Sequence, residues 1–199
     1  ISLKKYLEIA LVSRVLLLVL LFGVAFAYVF GARVFLADVK YLKALQIASK
    51  PASLSTQIDF MAEAVELNPW QGEYKLYLSR LFLAKAKEAL LLSAEQQDKA
   101  MISLDVQKAI VYVMEATQVA SKRVAVWETL GSLYQEINFA PGAAEWGIKA
   151  YEEAIKLEPT NPVLYNELAK VYTVKEDFEK AREQVEKSIT LKPDFSRSN

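Results

Sequence analysis

Two rhythms of apolar and polar residues divide the chain. From Val15 to Ala32 there are 18 residues without a charge, bracketed by Arg14 and Arg33. At about 1.5 Å per helical residue this stretch spans roughly 27 Å, close to a hydrocarbon core of about 30 Å, so it predicts a transmembrane helix. The two arginines can snorkel to the headgroups. Ile9–Val12 and Val34–Ala37 extend the helix, and Tyr6, Tyr28, Phe30 and Phe35 lie near its boundaries. Ala25-Phe26-Ala27 mimics a signal-peptide cleavage site, but the apolar run exceeds a typical signal core. A buried core helix would need covering on every side, and so short a chain offers no such surface. Residues 1–37 are therefore expected to be an anchor. Its orientation stays open, because basic residues flank both ends almost equally. The chain begins at Ile1, which leads us to expect a portion of a longer polypeptide.

Beyond residue 37 a helical rhythm takes over and repeats. Residues 162–195 place Tyr165, Leu168, Ala169 and Tyr172 at positions 4, 7, 8 and 11 of a 34-residue frame, then Ala181, Val185 and Ser188, with Pro193 closing. Residues 124–161 carry Trp127, Leu130, Gly131 and Tyr134 at those same first-helix positions. Tyr151, Ala154 and Pro159 follow, displaced by four residues, which implies an insertion around residues 138–142. Residues 38–71 supply Tyr41, Ala44, Leu45, Ala48, Met61, Ala64 and Pro69. Residues 72–123 supply Leu78, Ser79, Phe82, Ala109, Val113 and Ala116, with an extension around Leu91–Ser103 and Lys75 in place of the aromatic at position 4. Each unit starts three residues after the proline, or after Ser121, that ends the one before it.

This pattern resembles the tetratricopeptide repeat. Small residues let paired helices approach, large ones fill the space between hairpins, and prolines stop each second helix. A hairpin alone cannot bury its apolar face, so stacking is required. The expected fold is all-α: one N-terminal transmembrane helix, then an α-solenoid of about four helical hairpins over residues 38–195, and a tail at 196–199.

Further residues narrow the likeness. Phe35-Leu36-Ala37-Asp38 follows the span, Val65-Glu66-Leu67-Asn68-Pro69 ends the first hairpin, and Tyr74-x3-Leu78-Ser79-Arg80-Leu81-Phe82-Leu83 follows. Then come Val126-Trp127-Glu128-Thr129-Leu130-Gly131-Ser132-Leu133-Tyr134 and Pro141-Gly142-Ala143-Ala144-Glu145-Trp146-Gly147-Ile148-Lys149-Ala150-Tyr151. Together these look like the C-terminal repeat tail of bacterial polytopic membrane proteins of the O-antigen ligase/polymerase type. The resemblance implies a bacterial cell membrane, a repeat domain facing the exterior and a role beside glycan assembly. It carries no catalytic residue to this chain, because glycan transfer in that family is assigned upstream.

Composition removes most chemistry. The 199 residues contain no His and no Cys, which excludes the commonest general base, thiolate catalysis, disulfides and the usual transition-metal ligands. The carboxylate pairs Glu63/Glu66, Glu152/Glu153, Glu176/Asp177 and Glu183/Glu186 lie in Lys-rich helical contexts and read as solvated faces. Neither a calcium loop nor a cofactor motif is present, so no cofactor is expected. With 24 basic and 24 acidic side chains the molecule is neutral overall, although residues 1–50 sum to a net +5 and the remainder to −5. A basic anchor on an acidic body does not suit nucleic acid.

A recognition site is thus sought on the repeats. First-helix positions 2, 5, 9 and 12 line the groove of such arrays. They give Ala125, Glu128, Ser132 and Gln135 in the third unit and Val163, Asn166, Lys170 and Thr173 in the fourth. Glu128/Ser132 and Asn166/Lys170 do not match the Lys and Asn that clamp a peptide carboxylate in some repeats, so an extended peptide or a polysaccharide fits better. Trp127 is expected to pack, whereas Trp70 and Trp146 are candidate exposed aromatics. The expectation is a membrane-anchored protein-interaction scaffold, with lipid bilayer and protein as partners. The alternatives are an accessory domain of a glycan-transferring membrane protein and a self-associating repeat array.

Overall fold

Helix propensity and boundary residues together dictate the elements. The computed structural model describes residues 3–48, 54–138 and 142–192, and among them every regular element is an α-helix. These are α1 Leu3–Ile47, α2 Leu54–Leu67, α3 Gly72–Leu90, α4 Lys99–Val119, α5 Val124–Glu136, α6 Ala143–Leu157, α7 Pro162–Val174 and α8 Phe178–Leu191. Side-chain caps start three of them. Asp98 accepts from the Met101 N–H, Asn161 from Val163, and Asp177 from Lys180, each satisfying an amide the first helical turn leaves free. Pro162 sits in the first turn of α7, where its missing N–H costs nothing. Gly142 precedes α6 with φ 79°, a left-handed conformation that favours glycine. Pro193 and residues 139–141 of the expected insertion lie outside the described residues.

α1 is one continuous 45-residue rod, about 67 Å long at 1.5 Å per residue. Leu11–Ile47 is long and apolar enough to cross a membrane, and none of its most apolar stretch is buried. The C-terminal part of the rod changes character. Ala37 and Ala44 are fully buried against Met61 and Ala64 of α2, so the rod's last turns form the first helix of the first hairpin.

Four antiparallel hairpins follow in chain order: α1/α2, α3/α4, α5/α6 and α7/α8, each packed on the next. The close approaches fall where the sequence puts small residues. A Cβ on Gly131 would stand 2.6 Å from the Tyr151 ring, so only glycine lets α5 and α6 close over that buried aromatic. Ser79 Oγ donates to the Ala109 carbonyl at 2.7 Å, and Ser188 Oγ to the Pro162 carbonyl at 2.8 Å, tying α3 to α4 and α7 to α8. Position 4 shows the repeat at atomic level. Trp127 Nε1 donates to the Ser121 carbonyl and Tyr165 Oη to the Pro159 carbonyl, each reaching back six residues at 2.8 Å. Trp127 is half-buried and packs against the main core. In the second hairpin Lys75 occupies that position and pairs instead with Glu115 at 2.5 Å. The extension there is shared by both helices: α3 has 19 residues and α4 has 21, against 13 to 15 in the next two hairpins.

Candidate functional site

An open cavity lies between the neighbouring first helices α3 and α5. This cavity has a volume of about 380 Å³ and is walled by Ser79, Arg80, Leu83 and Lys87 on one side and by Glu128, Thr129, Ser132 and Glu136 on the other. Arg80 Nη2 donates to Thr129 Oγ1 at 2.7 Å, and that hydroxyl donates to the Ala125 carbonyl at 2.8 Å. Lys87 and Glu136 form an ion pair of 2.5 Å across the other end. Burial raises the Glu128 carboxyl above its ordinary pKa; Glu158 and Glu167 add to the shift and Arg80 opposes it. The cleft therefore presents a fixed cation–anion alternation, with hydroxyls between them, to whatever enters.

Of the groove residues the frame proposes, Glu128 and Ser132 line this cavity. Gln135 does not. Its amide donates to the Glu167 carbonyl at 2.9 Å and its oxygen accepts from Tyr151 Oη at 3.2 Å, so it bridges α5 to α7. Asn166, Lys170 and Thr173 lie on α7 and do not wall this cavity. Lys170 pairs with Glu167 one turn away at 2.7 Å, and Thr173 Oγ1 donates to the Ala169 carbonyl at 3.0 Å. Arg80, Lys87 and Glu136 were not anticipated. The signal for Arg80 was available: it occupies position 9 of the second unit, and Leu83 position 12.

The two expected exposed aromatics are exposed. Trp70 is 73% accessible and Trp146 47%. They occupy different settings. Trp146 stacks on Tyr134 at 6.3 Å between centroids with 19° between planes, and Lys149 Nζ lies 4.8 Å above its ring. With Trp127, Leu130 and Met114 it walls a second cavity of about 470 Å³ on the opposite side of α5, rimmed by Glu152 and Glu153. Trp70 stands apart, on the α2–α3 junction. A third cavity, about 450 Å³ and mostly apolar, opens where α3 and α4 outrun α5; Leu90, Ile102, Val106 and Ile137 contribute to it. Arg14 and Arg33 flank the apolar stretch as expected, and Arg33 Nη2 also donates to the Glu66 carbonyl at 3.1 Å. Among the described residues no three His, Cys, Asp or Glu side chains are grouped to hold a metal ion.

The comparisons agree with this architecture. The family model described as tetratricopeptide repeat matches residues 150–183, from α6 into α8. Among solved structures, a MamA RS-1 double mutant (ArsTM) superposes with TM-score 0.61 at 15% identity, covering 82% of this chain and 78% of its own. MamA MSR-1 gives 0.59 at 13% identity with 82% and 79% coverage, and MamA AMB-1 gives 0.57 at 13% with 78% of each chain. At such identities the likeness is one of fold. The described residues thus form an all-helical array of stacked hairpins that begins with a long apolar helix, and residues 150–183 match the tetratricopeptide repeat.

Proposed function

We propose that this chain is a membrane-anchored interaction scaffold: residues 1–37 fix it in a bilayer, and residues 38–195 present the α3–α5 cleft to an extended segment of a partner protein. The observation that carries this reading is the cleft itself. It is open, it lies between two successive first helices, and Arg80 and Lys87 are held in place by Thr129 and by the ion pair across its end. An extended backbone can satisfy Ser132, Arg80 and Glu128 in turn, while the stems of Leu83 and Leu133 give side chains an apolar floor. Fixed charges of alternating sign reject partners whose pattern is shifted by one residue, which is specificity by unpaired charge. We read the cleft as a binding surface.

Photo-crosslinking tests this. A photoreactive residue at Ser132, in the full chain in its native membrane, is expected to capture a discrete polypeptide. Arg80→Glu and Glu128→Lys abolish that adduct, while Lys170→Glu leaves it. An adduct indifferent to both cleft variants would refute the cleft as the site.

The aromatic cavity supports a second reading. Trp127, Tyr134 and Trp146 offer flat faces, with Glu152 and Glu153 as acceptors at the rim. Such walls suit the apolar face of a sugar ring, as an accessory domain beside an O-antigen ligase/polymerase-like activity would need. Quenching of Trp146 fluorescence by bacterial polysaccharide, lost in Trp146→Ala, favours this reading; unchanged emission removes it.

A further inference from the structure

The first interhelical junction does not face the same surroundings as the others. α2 runs back along α1 in a fixed register: Lys40 pairs with Glu63, and Arg33 donates to the Glu66 carbonyl. The last turn of α2 therefore lies level with Arg33, the residue that closes the uncharged stretch. α2 ends at Leu67, and α3 leaves the same place, because Tyr74 Oη near its start donates to Asp38. The junction between them, residues 68–71, is thus held beside the point where the apolar rod ends. On that junction stands Trp70, 73% exposed. Among the described residues it makes no ring contact with another aromatic.

The neighbouring junctions extend the observation along one edge. The α4–α5 junction is fixed beside the first. Arg123 pairs with Glu73 at 2.9 Å, and a Cβ on Gly72 would meet Ala120 at 2.7 Å. It carries exposed Lys122 and Arg123. The α6–α7 junction, one hairpin further from the rod, carries Glu158 and Asn161 and neither an aromatic nor a cation. From the rod outward the edge thus reads tryptophan, then Lys122 beside the Arg123–Glu73 ion pair, then acid. Among the described residues the far ends of the hairpins are mixed: exposed Leu90, Leu91, Leu92 and Phe178 stand beside Glu95, Asp98, Lys99, Lys175, Glu176 and Asp177.

We infer that this junction edge rests on the membrane surface, with Trp70 seated in the headgroup layer and Lys122 facing anionic lipid phosphates. The inference rests on the membrane-anchored reading above. The chemistry suits each position: an indole has an apolar body and a polar N–H, which is why tryptophan concentrates at the bilayer boundary. Basic side chains near that boundary gain from the negative surface potential, while Glu158 does better further away. A second attachment beside the rod converts a swivelling solenoid into one held at a set attitude, so the α3–α5 cleft would open in a constant direction relative to the bilayer.

The absence of native cysteine makes the test direct. The full chain is reconstituted in phosphatidylcholine/phosphatidylglycerol vesicles carrying single nitroxides, introduced by Leu20→Cys, Trp70→Cys, Lys122→Cys, Asn161→Cys and Glu95→Cys. Collision with membrane-dissolved oxygen and with a water-soluble nickel chelate is then measured. The oxygen-to-nickel ratio is expected to be highest at 20, several-fold higher at 70 than at 95, intermediate at 122 and equal at 161 and 95. The Lys122 value should fall towards that of Glu95 in pure phosphatidylcholine. A ratio at 70 equal to that at 95, with position 20 still in the bilayer core, overturns the surface contact and leaves the anchor standing. Water exposure at position 20, or failure to float with the vesicles, overturns both.

Discussion

The second and third hairpins stack side by side but are cemented by opposite means. α5 and α6 close on a glycine: Gly131 admits the ring of Tyr151, which is 98% buried. α3 and α4 close on polar groups. Asp105 is buried and receives Lys85 at 3.1 Å, Lys75 reaches Glu115, and Ser79 hydrogen-bonds to the Ala109 carbonyl. Among the described residues no buried side-chain polar atom is left without a partner, so these groups are satisfied. The difference teaches what a repeat frame does and does not demand. It demands close approach at a few positions. A missing side chain or a paired polar one can meet that demand, and the paired version fails far more sharply when one partner is lost.

Removing one partner in the polar hairpin should give the largest effect. Lys85→Met strands Asp105 at 1% side-chain exposure. Breaking a buried pair costs about 3–5 kcal/mol, and because Lys85 itself is partly solvated we expect about 3 kcal/mol. Thermal unfolding of the full chain in nanodiscs reads it. Lys85→Met combined with Asp105→Leu should recover most of the loss; a single variant as stable as the parent would show that the pair contributes nothing.

In the glycine-closed hairpin the corresponding break is steric. Gly131→Ala places a methyl group 2.6 Å from Tyr151 Cε2, and the buried ring has little room to retreat. Overpacking of this kind costs about 1–3 kcal/mol. Tyr151→Leu in the same background should relieve it, since it withdraws the atoms that clash. If Gly131→Ala melts like the parent, close approach is not what the glycine provides.

Much of this contrast was legible in the chain itself. The 34-residue spacing named Gly131, Tyr151, Trp127 and Tyr165, and Lys75 stood out as the departure in the second unit. The site was legible only in part. Glu128 and Ser132 follow from the frame because which side chains share one face of a first helix is a local property. Gln135 obeys the same frame but is diverted to the Glu167 carbonyl, which depends on the angle between neighbouring hairpins, and periodicity carries no record of that angle. Arg80 was within reach had the frame been applied to the second unit. Lys87 and Glu136 line the cleft because α3 runs past the length of an ordinary repeat helix, a consequence of the extension and not of the motif.

Alkaline titration sharpens the comparison further. Burial raises the pKa of the Tyr151 phenol well above its ordinary value, and Glu167, Glu128 and Glu136 push it the same way. A phenol held neutral in the fold supports stability fully below its unfolded pKa of 10, and that support is lost as pH rises above 10 towards the folded value. Unfolding free energy should fall above pH 10, by at most about 1.4 kcal/mol per pH unit for each such phenol. Tyr151→Phe should flatten the slope at a small cost below pH 9, where only its hydrogen bond to Gln135 is lost. An unchanged slope would mean the ring is reached by water after all.

The smallest effect belongs to the cleft, and its sign is the informative part. Glu128 has its folded pKa raised, by burial first, so its contribution is present below the unfolded carboxylate value and is lost as pH climbs through the folded one. At neutral pH the ionised carboxylate is therefore a mild burden on the fold, kept small by solvent access and by Arg80. Glu128→Gln should raise stability at pH 7 by less than about 0.5 kcal/mol and change nothing at pH 4. Residues retained at a cost to the fold are found where function requires them, as strained and partly desolvated groups in binding sites generally are. A Gln variant that is more stable but no longer forms the crosslink at Ser132 would join these two facts. One that is less stable at pH 7 would mean that Glu128 is held by the Arg80 interaction and serves the stack of α3 on α5.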